Sequence, residues 1–251
     1  MMRLQRLVEH LDTYLRVREM QDSAQNGLQI AGPDEVRRVA FAVDARRAAF
    51  EKAAESGAQL VIVHHGLFWG KPQLLVGPLY ERIAALIRGN IGLYAAHLPL
   101  DAHPKVGNNA ELARLLGLTR RVRAGEYHGQ TIGFGGLAPR GACLATLVKR
   151  LEKATGYSPV RVLDAGRPVR RVACVSGGAA DMVSGFAAAG YDTYVTGEVS
   201  HGHLPMIEEL GMNVIFGGHY ATETLGLKAL ARHLARRFRL QTEFIDLPTE
   251  A

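Results

Sequence analysis

The sequence predicts an α/β protein with mostly parallel, mixed sheets, built from two duplicated α/β repeats. Apolar strands alternate with amphipathic helices along most of the chain, which is typical of parallel sheets. A similar series of elements occurs in each half of the chain. Polar side chains follow several of the strands, at the sheet edge where open α/β proteins bind ligands. These observations predict the fold class and the position of a site together.

The first half opens with leucines at helical spacing, which predict a helix over residues 2–18. The polar segment QDSAQNG ends this pattern. Glycines end the later helices. In chain order, the later elements are the strands LQI and VRRVAFAVDA, a helix ending at Gly57, the strand QLVIVHHG, a helix over 79–88, the strand IGLYAAHLPLD and a helix over 109–116.

The second half is less regular up to residue 170 and then repeats the earlier alternation. Its first part contains the strand TIGFGGLAP, the amphipathic helix ACLATLVKRLEKATG and the strand PVRVLDAG. The remaining elements are the strand RRVACVSGG, the helix AADMVSGFAAAG, the strand DTYVTGE, the helix HLPMIEELG, the strand NVIFGGH and a helix over 222–238.

The internal repeat is visible when the glycines that end corresponding helices are aligned. Gly57 then matches Gly190, and Gly89 matches Gly211. The alignment predicts repeats over residues 1–125 and 126–251. It pairs the polar residues at the strand ends as follows: His65 with Glu198, His97 with His219, and Asp101 with Glu223.

Composition excludes several classes of protein. The 251 residues are 47% hydrophobic and 22% charged, which excludes disorder, collagen and a coiled coil as the main architecture. No apolar run has the length of a membrane helix, and the N-terminus lacks the pattern of a signal peptide. Two cysteines provide neither a disulfide framework nor a thiolate zinc site, so we expect a cytoplasmic protein. The net charge of +6 fits an ordinary basic surface and also attraction to phosphate ligands or nucleic acid.

The polar residues at the strand ends are candidate metal ligands. Histidines and carboxylates without thiolates suit Zn, Mn, Fe, Ni or Co. A mononuclear catalytic zinc needs three protein ligands, and the surplus here predicts two divalent ions about 3–4 Å apart. The candidates are His64, His65, His97, Asp101, Glu198, His219 and Glu223.

Alternative roles remain open for several of these residues. Adjacent histidines on a regular strand point to opposite faces, so His64 and His65 require a turn, which Gly66 favours. We expect Glu223 in the first turn of its helix, where the helix dipole favours its charge. His97 and Glu198 can instead orient ligands, contact substrate or transfer protons.

Other signals are weaker. His201 and His203 can face the site or lie outside it, whereas His10, His103, His128 and His233 are expected to be surface or capping residues. The glycines of SGG and GFGG resemble those of phosphate-binding loops, but neither motif completes a nucleotide-binding fingerprint. For SGG, between a strand and a helix, a turn is favoured over an anion site. Phe68 and Trp69 can form a pocket wall, an interface or core.

The motifs VIVHHGLFW, YAAHLPLDAH, VTGE and GGHYATE resemble in kind and order those of the Nif-three-like family, also known as GTP cyclohydrolase I type 2 homologues. NGLQI and TIGFGGL extend the resemblance over nearly the whole chain. It implies two intertwined α/β repeats and a dinuclear metal site. The metal ligands that it implies are His64, His65, Asp101, His219 and Glu223.

The resemblance also implies an assembly and an activity. Family members form hexamers, as trimers of dimers, with metal sites facing an internal cavity. The cyclohydrolase name implies hydrolysis of a nucleotide or related heterocycle, with His97 or Glu198 as proton donor. The alternative is a non-catalytic metal-binding protein that acts through protein or nucleic-acid partners. Screening the Mn- or Zn-loaded protein against nucleotides distinguishes these two classes.

Overall fold

The computed structural model describes residues 1–158 and 161–249 of the chain. The strands are β1 (Met2–Arg3), β2 (Gly27–Ile30), β3 (Glu35–Val36), β4 (Arg38–Asp44), β5 (Leu60–His65), β6 (Gly92–Ala95), β7 (Thr119–Tyr127), β8 (Gln130–Leu137), β9 (Arg161–Leu163), β10 (Arg171–Cys174), β11 (Thr193–Thr196), β12 (Asn213–Phe216) and β13 (Gln241–Phe244). The helices are α1 (Leu4–Leu15), α2 (Arg47–Glu55), α3 (Gly77–Arg88), α4 (Leu98–Asp101), α5 (Asn108–Leu115), α6 (Leu144–Thr155), α7 (Val183–Ala188), α8 (Leu204–Leu210) and α9 (His219–Phe238).

The described residues divide into two compact units. The first unit contains Met1–Leu100 and Leu227–Leu247. The second contains Asp101–Gly226, together with Pro248 and Thr249. The repeat boundary near residue 125 concerns similarity within the sequence and stays a prediction, because a compact unit and a sequence repeat need not coincide.

The first unit is built on a sheet with the strand order β13-β4-β5-β6-β2. Strands β13, β4, β5 and β6 run parallel, and β2 is antiparallel to β6. The apolar run of β5 is fully buried, as expected for a parallel strand with both faces covered. Strands β4, β5 and β6 pack against helices α2 and α3 through the following buried side chains: Ala40, Ala42, Ala49, Phe50, Ala53, Val61, Val63, Ile83, Leu86, Leu93 and Ala95.

The second unit contains a sheet with the order β7-β8-β10-β11-β12-β9. The central strands β10, β11 and β12 run parallel, whereas β7, β8 and β9 pair antiparallel with their neighbours. Strand β7 and its hairpin with β8 are not predicted by the sequence pattern. Helices α5 and α6 cover the sheet through the following buried side chains: Ala113, Leu116, Leu147, Leu151, Val172, Cys174, Val195 and Ile215.

The central strands have the same order in both units. Strands β4, β5 and β6 lie side by side in chain order, and so do β10, β11 and β12. An antiparallel edge strand follows in each sheet, β2 beside β6 and β9 beside β12. This agreement is what the duplication predicts, and the mixed α/β class is confirmed. Within the described residues, none of the helices combines the length and apolar character needed to span a bilayer.

The bounds of the first and last predicted helices differ from those in the structure by up to three residues at an end. The first helix begins at Leu4, after strand β1, and its last residue is Leu15 because Arg16 adopts a left-handed conformation with φ of 55°. The last helix begins at His219, three residues earlier than predicted, directly after Gly218 with φ of 89°. The expectation that Glu223 lies in the first turn of that helix is therefore wrong.

Candidate functional site

Three histidines meet at the ends of β5 and β6 in the first unit. The ring centroids of His64 and His65 lie 4.8 Å apart, and that of His97 lies 5.0 Å from His64 and 5.6 Å from His65. One ring nitrogen of each lies within 4.8 Å of the others. We call this set the histidine cluster.

Strand β5 continues through both of its histidines, so a turn is not needed to bring them together. Its last pair with β6 joins Val63 and Ala95, whereas β4 still pairs Asp44 with His65. The last residues of β5 therefore pair with β4 but not with β6. The rings of His64 and His65 lie close together at this end of the strand. Gly66 lies just outside the strand without a turn, and the chain bends at the next residue, Leu67.

Each histidine of the cluster has the same ring nitrogen fixed by a protein oxygen. His64 Nδ1 lies 2.9 Å from the carbonyl oxygen of Ala96, and His65 Nδ1 lies 2.8 Å from Asp44 Oδ1. His97 Nδ1 lies 3.0 Å from Asp22 Oδ1. Carbonyl and carboxylate oxygens accept, so Nδ1 donates in each case and Nε2 is the ring nitrogen that can bind a metal ion or a second proton. This arrangement is typical of histidines that bind a metal ion.

Asp22 connects His97 to the polar segment after the first helix. Its carboxylate accepts hydrogen bonds from the His97 ring, from the backbone N–H of Ala24 and Leu98, and from the side-chain amide of Asn26. Burial raises the pKa of Asp22, but the hydrogen bond and charge of His97 with the other donors outweigh it and lower the pKa to about 2. Asp22 is therefore a fixed anion behind His97.

Asp101, in the second unit, lies in a cradle of hydrogen-bond donors. The Asn108 amide and the Ser176 hydroxyl both donate to its Oδ1 at 2.9 Å. Asn108 is itself positioned by the backbone N–H of Gly226, which donates to its Oδ1 at 2.7 Å. These contacts fix the orientation of a carboxylate that is 7% exposed.

His219 and Glu223 are four residues apart on α9, so their side chains lie on the same face of the helix. His219 Nε2 lies 3.1 Å from Glu223 Oε1, and His219 Nδ1 lies 2.9 Å from Glu198 Oε1. Burial lowers the pKa of His219, but the hydrogen bonds and charges of Glu223 and Glu198 outweigh it and raise the pKa to about 10. The two carboxylates therefore favour the protonated form of His219.

The glycines of the SGG turn make room for these carboxylates. A Cβ atom at Gly177, which has φ of 67°, would collide with Glu223 Oε1, and one at Gly178 would lie 3.2 Å from Glu198 Oε1. The preceding Ser176 binds Asp101. The turn therefore packs against the acidic residues, as expected of a turn rather than a phosphate site.

Four further histidines make local contacts. His103 is buried and accepts the backbone N–H groups of Lys105 and Val106, which confirms its capping role. His203 Nδ1 lies 2.8 Å from the hydroxyl of Ser200, within a short 3-10 turn. His10 and His233 are more than surface residues, because their Nε2 atoms lie 3.1 Å apart in a half-buried pair.

The donor atoms of each unit suit a divalent transition-metal ion. The first unit supplies three imidazoles whose Nδ1 atoms contact protein oxygens. The second supplies His219 and Glu223, which contact each other, and the buried Asp101. Sequence reasoning identified these residues. It missed the supporting residues Asp22, Asp44 and Ser176. Asp44 could have been found, because it ends strand β4 and the predicted metal ligands also follow strand ends.

The fold and these residues define an α/β protein that presents histidines and carboxylates at the ends of parallel strands. A Deinococcus radiodurans protein named GTP cyclohydrolase 1 type 2 homolog is 45% identical over 97% of this chain and 92% of its own length. A Halobacterium salinarum protein of the same name is also 45% identical, over 94% of each chain. The crystal structure of TTHA1606 from Thermus thermophilus superposes over the full length of both chains, with a TM-score of 0.89 and 43% identity.

The sequence model of the Duf34/NIF3 (NGG1p interacting factor 3) family matches residues 2–250. The chain therefore belongs to the Duf34/NIF3 family, and the resemblance seen in its motifs is confirmed.

Proposed function

We propose that this protein is a metal-dependent hydrolase that acts on a nucleotide or a related nitrogen heterocycle. The observation that carries the proposal is the histidine cluster, in which each Nδ1 is held by a protein oxygen. Asp44 orients His65 and Asp22 orients His97, as carboxylates commonly orient histidines that bind a metal ion. Several relatives carry the name GTP cyclohydrolase 1 type 2 homolog, and this name suggests the substrate class.

A dinuclear metal site is part of the proposal, and the family resemblance supports it. Two divalent ions (Zn, Mn, Fe, Ni or Co) would be held by the five residues that the family resemblance implies: His64, His65, Asp101, His219 and Glu223. Divalent ions bound there supply Lewis acidity and make water reactive near neutral pH. The reaction implied by the relatives' name is addition of water at C8 of guanine and opening of the imidazole ring to a formamide, which a second water hydrolyses to release formate.

The remaining residues of the proposed site hold and move protons. His97 keeps a proton on Nδ1 because Asp22 accepts it, so Nε2 is the nitrogen that exchanges protons or binds metal. The side chain of Glu198 is 42% exposed and contacts His219 Nδ1. Either residue can protonate the leaving nitrogen of the opened ring, and each is proposed as a catalytic residue.

Chelation and reloading of the full-length protein test this function. The metal-free protein, reloaded with Zn²⁺ or Mn²⁺, is assayed against GTP, GMP, pterins and phosphoesters, with metal content measured by elemental analysis. We expect two ions per chain and hydrolysis of a nucleotide. His219→Ala and Glu223→Ala should lose both metal and turnover, whereas His128→Ala, at an exposed turn, should lose neither.

Two results would contradict the proposal. Turnover that survives His219→Ala after loss of the metal would place the reaction elsewhere. Failure of the metal-loaded protein on the whole panel would favour the alternative of a non-catalytic metal-binding protein with protein or nucleic-acid partners.

A closed homo-oligomer, in particular a hexamer, is part of the proposal and is supported by the family resemblance. Light scattering tests it, and a monomer at micromolar concentration would contradict it.

A further inference from the structure

A pocket of about 420 Å³ lies beside the histidine cluster in the first unit. Its walls include Asn26, Gln29, Phe68, Trp69, Lys71 and Gln73. We propose that this pocket binds the flat heterocycle of the substrate, with Trp69 as its stacking surface and Lys71 as the partner of its phosphate. The inference rests on the proposed function and specifies which part of the substrate lies next to the histidines.

The pocket shares a wall with the histidine cluster. The Trp69 ring packs edge to face with the ring of His97, with centroids 4.9 Å apart, and lies 6.0 Å from that of His65. Asn26 Oδ1 accepts the backbone N–H of His97 at 2.7 Å. A ligand that contacts Trp69 is therefore one side chain away from the proposed metal ligands.

The pocket walls are held in place by hydrogen bonds between two segments of the chain. The backbone N–H of Gln25 donates to the carbonyl of Phe68, and that of Gly70 donates to the carbonyl of Ser23. The indole N–H of Trp69 donates to the carbonyl of Gly66 at 2.9 Å, which fixes the plane of the ring. A prearranged stacking surface of this kind lowers the entropic cost of binding a flat ligand.

Gln29 supports the same wall. Its amide oxygen accepts the backbone N–H of Leu67 at 2.7 Å, and its amide nitrogen donates to the carbonyl of Gln25. A Cβ atom at Gly66 would collide with this amide. Gly66, the glycine of the HHG motif, therefore allows Gln29 to join the pocket wall to the end of β5.

The chemistry of the lining favours a heterocycle that carries a phosphate. Trp69 and Phe68 offer aromatic surface, on which any purine or pterin ring can stack. Gln73 is exposed, and its amide both donates and accepts, as the edge of such a ring requires. Lys71 is an exposed cation two residues beyond Trp69, suited to a phosphate.

This placement has a consequence for the type of reaction. With the ring on Trp69, the heterocycle rather than the phosphate lies beside the histidine cluster. The pocket therefore favours hydrolysis within the ring over hydrolysis of a phosphoester.

Binding to the metal-free, full-length protein tests the pocket without turnover. Trp69 is the sole tryptophan of the chain, so its fluorescence reports the pocket directly. We expect quenching by guanosine and by GTP, with GTP bound more tightly, and none by ribose 5-phosphate. Lys71→Ala should weaken GTP binding about tenfold and leave guanosine binding unchanged. Lys52→Ala, which removes an exposed lysine from α2, is the matched control and should change neither.

Calorimetry extends the test to Trp69 itself. Trp69→Leu should lose binding of guanosine and GTP, whereas Trp69→Phe should retain most of it, and circular dichroism confirms that each variant is folded. Equal binding of ribose 5-phosphate and GTP, or guanosine binding that survives Trp69→Leu, would overturn the inference.

Two further outcomes distinguish this inference from the proposed function. If the metal-loaded protein hydrolyses a nucleotide with a KM that Trp69→Leu and Lys71→Ala leave unchanged, the pocket assignment is wrong and the hydrolase proposal stands. If guanosine and GTP bind as expected but no metal restores turnover, the pocket assignment stands and the hydrolase proposal is wrong.

Discussion

His97 donates its Nδ1 proton to Asp22, whose carboxylate oxygens lie 3.0 and 3.1 Å from that nitrogen. The Asp22 side chain is only 3% exposed, so this pair is shielded from solvent. Asp22 also receives backbone N–H groups on both sides of the contact, from Ala24 and Leu98. The pair therefore joins the segment after the first helix to the end of β6, and it orients a residue of the histidine cluster.

Removal of the Asp22 charge should change the pH dependence of the free energy of unfolding. The folded protein lowers the pKa of Asp22 to about 2, below the ordinary value of 3.8. The Asp22 carboxylate therefore binds a proton more readily in the unfolded chain than in the folded protein. The stabilisation is present above pH 4 and is lost as the pH falls from 4 towards 2. Asp22→Asn should lower the free energy of unfolding of the metal-free protein by about 2 kcal/mol at pH 7, and by little at pH 2.

Urea denaturation at several pH values measures this difference. Asp34→Asn, at an exposed aspartate, is the matched control and should lower the stability at neither pH. An equal loss at pH 7 and pH 2 for Asp22→Asn would indicate lost packing rather than lost charge.

The sequence predicts the apolar framework better than the contacts that orient the site. Runs such as that of β5 are buried on both faces, so their composition alone identifies them. His97 and its partner Asp22 are 75 residues apart, and Asp22 lies in a polar segment whose pattern indicates only a break between elements. Such a pairing depends on the tertiary fold and leaves no local pattern.

The start of α9 illustrates a similar limit. Local propensity favours a helix after Ala221 and Thr222, but the left-handed Gly218 lets the chain begin the helix at His219. The Thr222 hydroxyl then donates to the Gly218 carbonyl within the first turn. This earlier start places His219 and Glu223 on one face, which the predicted start at residue 222 excludes.

The pair of His10 and His233 should make the protein less stable in mild acid. Burial lowers the pKa of His10 below 6.5, and the nearby charges of His233 and Arg237 lower it further. The folded state therefore favours neutral His10, and its contribution to stability is present above pH 6.5 and is lost as the pH falls below that value. His10→Gln should reduce the fall in unfolding free energy between pH 7 and pH 5.

Denaturation curves at pH 7 and pH 5 give the free energy of unfolding at each pH, and its change between them is the slope to be compared. His128→Gln, at an exposed histidine, should keep the slope of the unaltered protein. The prediction is wrong if His10→Gln keeps the same slope.

The two cysteines should differ sharply in reactivity. Cys143 is exposed at the start of α6, and hydrogen bonds from the backbone and hydroxyl of Thr146 lower its pKa below 9.0. Burial raises the pKa of Cys174 to about 12. Iodoacetamide should therefore modify one thiol per native chain and two per unfolded chain, with a native rate that rises as the pH approaches the Cys143 pKa. Mass spectrometry measures the labelling, and Cys143→Ser should abolish it in the native state.

Gly177→Ala should weaken metal binding in addition to straining the backbone. Gly177 has φ of 67°, and its added methyl group would push against Glu223 Oε1. Gly166 has a similar φ of 71° with open space around it, so Gly166→Ala has the same strain without the collision. Both variants should lose about 1 kcal/mol of stability from the left-handed backbone. Only Gly177→Ala should also weaken metal binding, by about tenfold or more, since it moves a proposed ligand. Competition with a fluorescent chelator measures metal affinity, and equal affinity in the two variants would show that Glu223 does not contribute to the site.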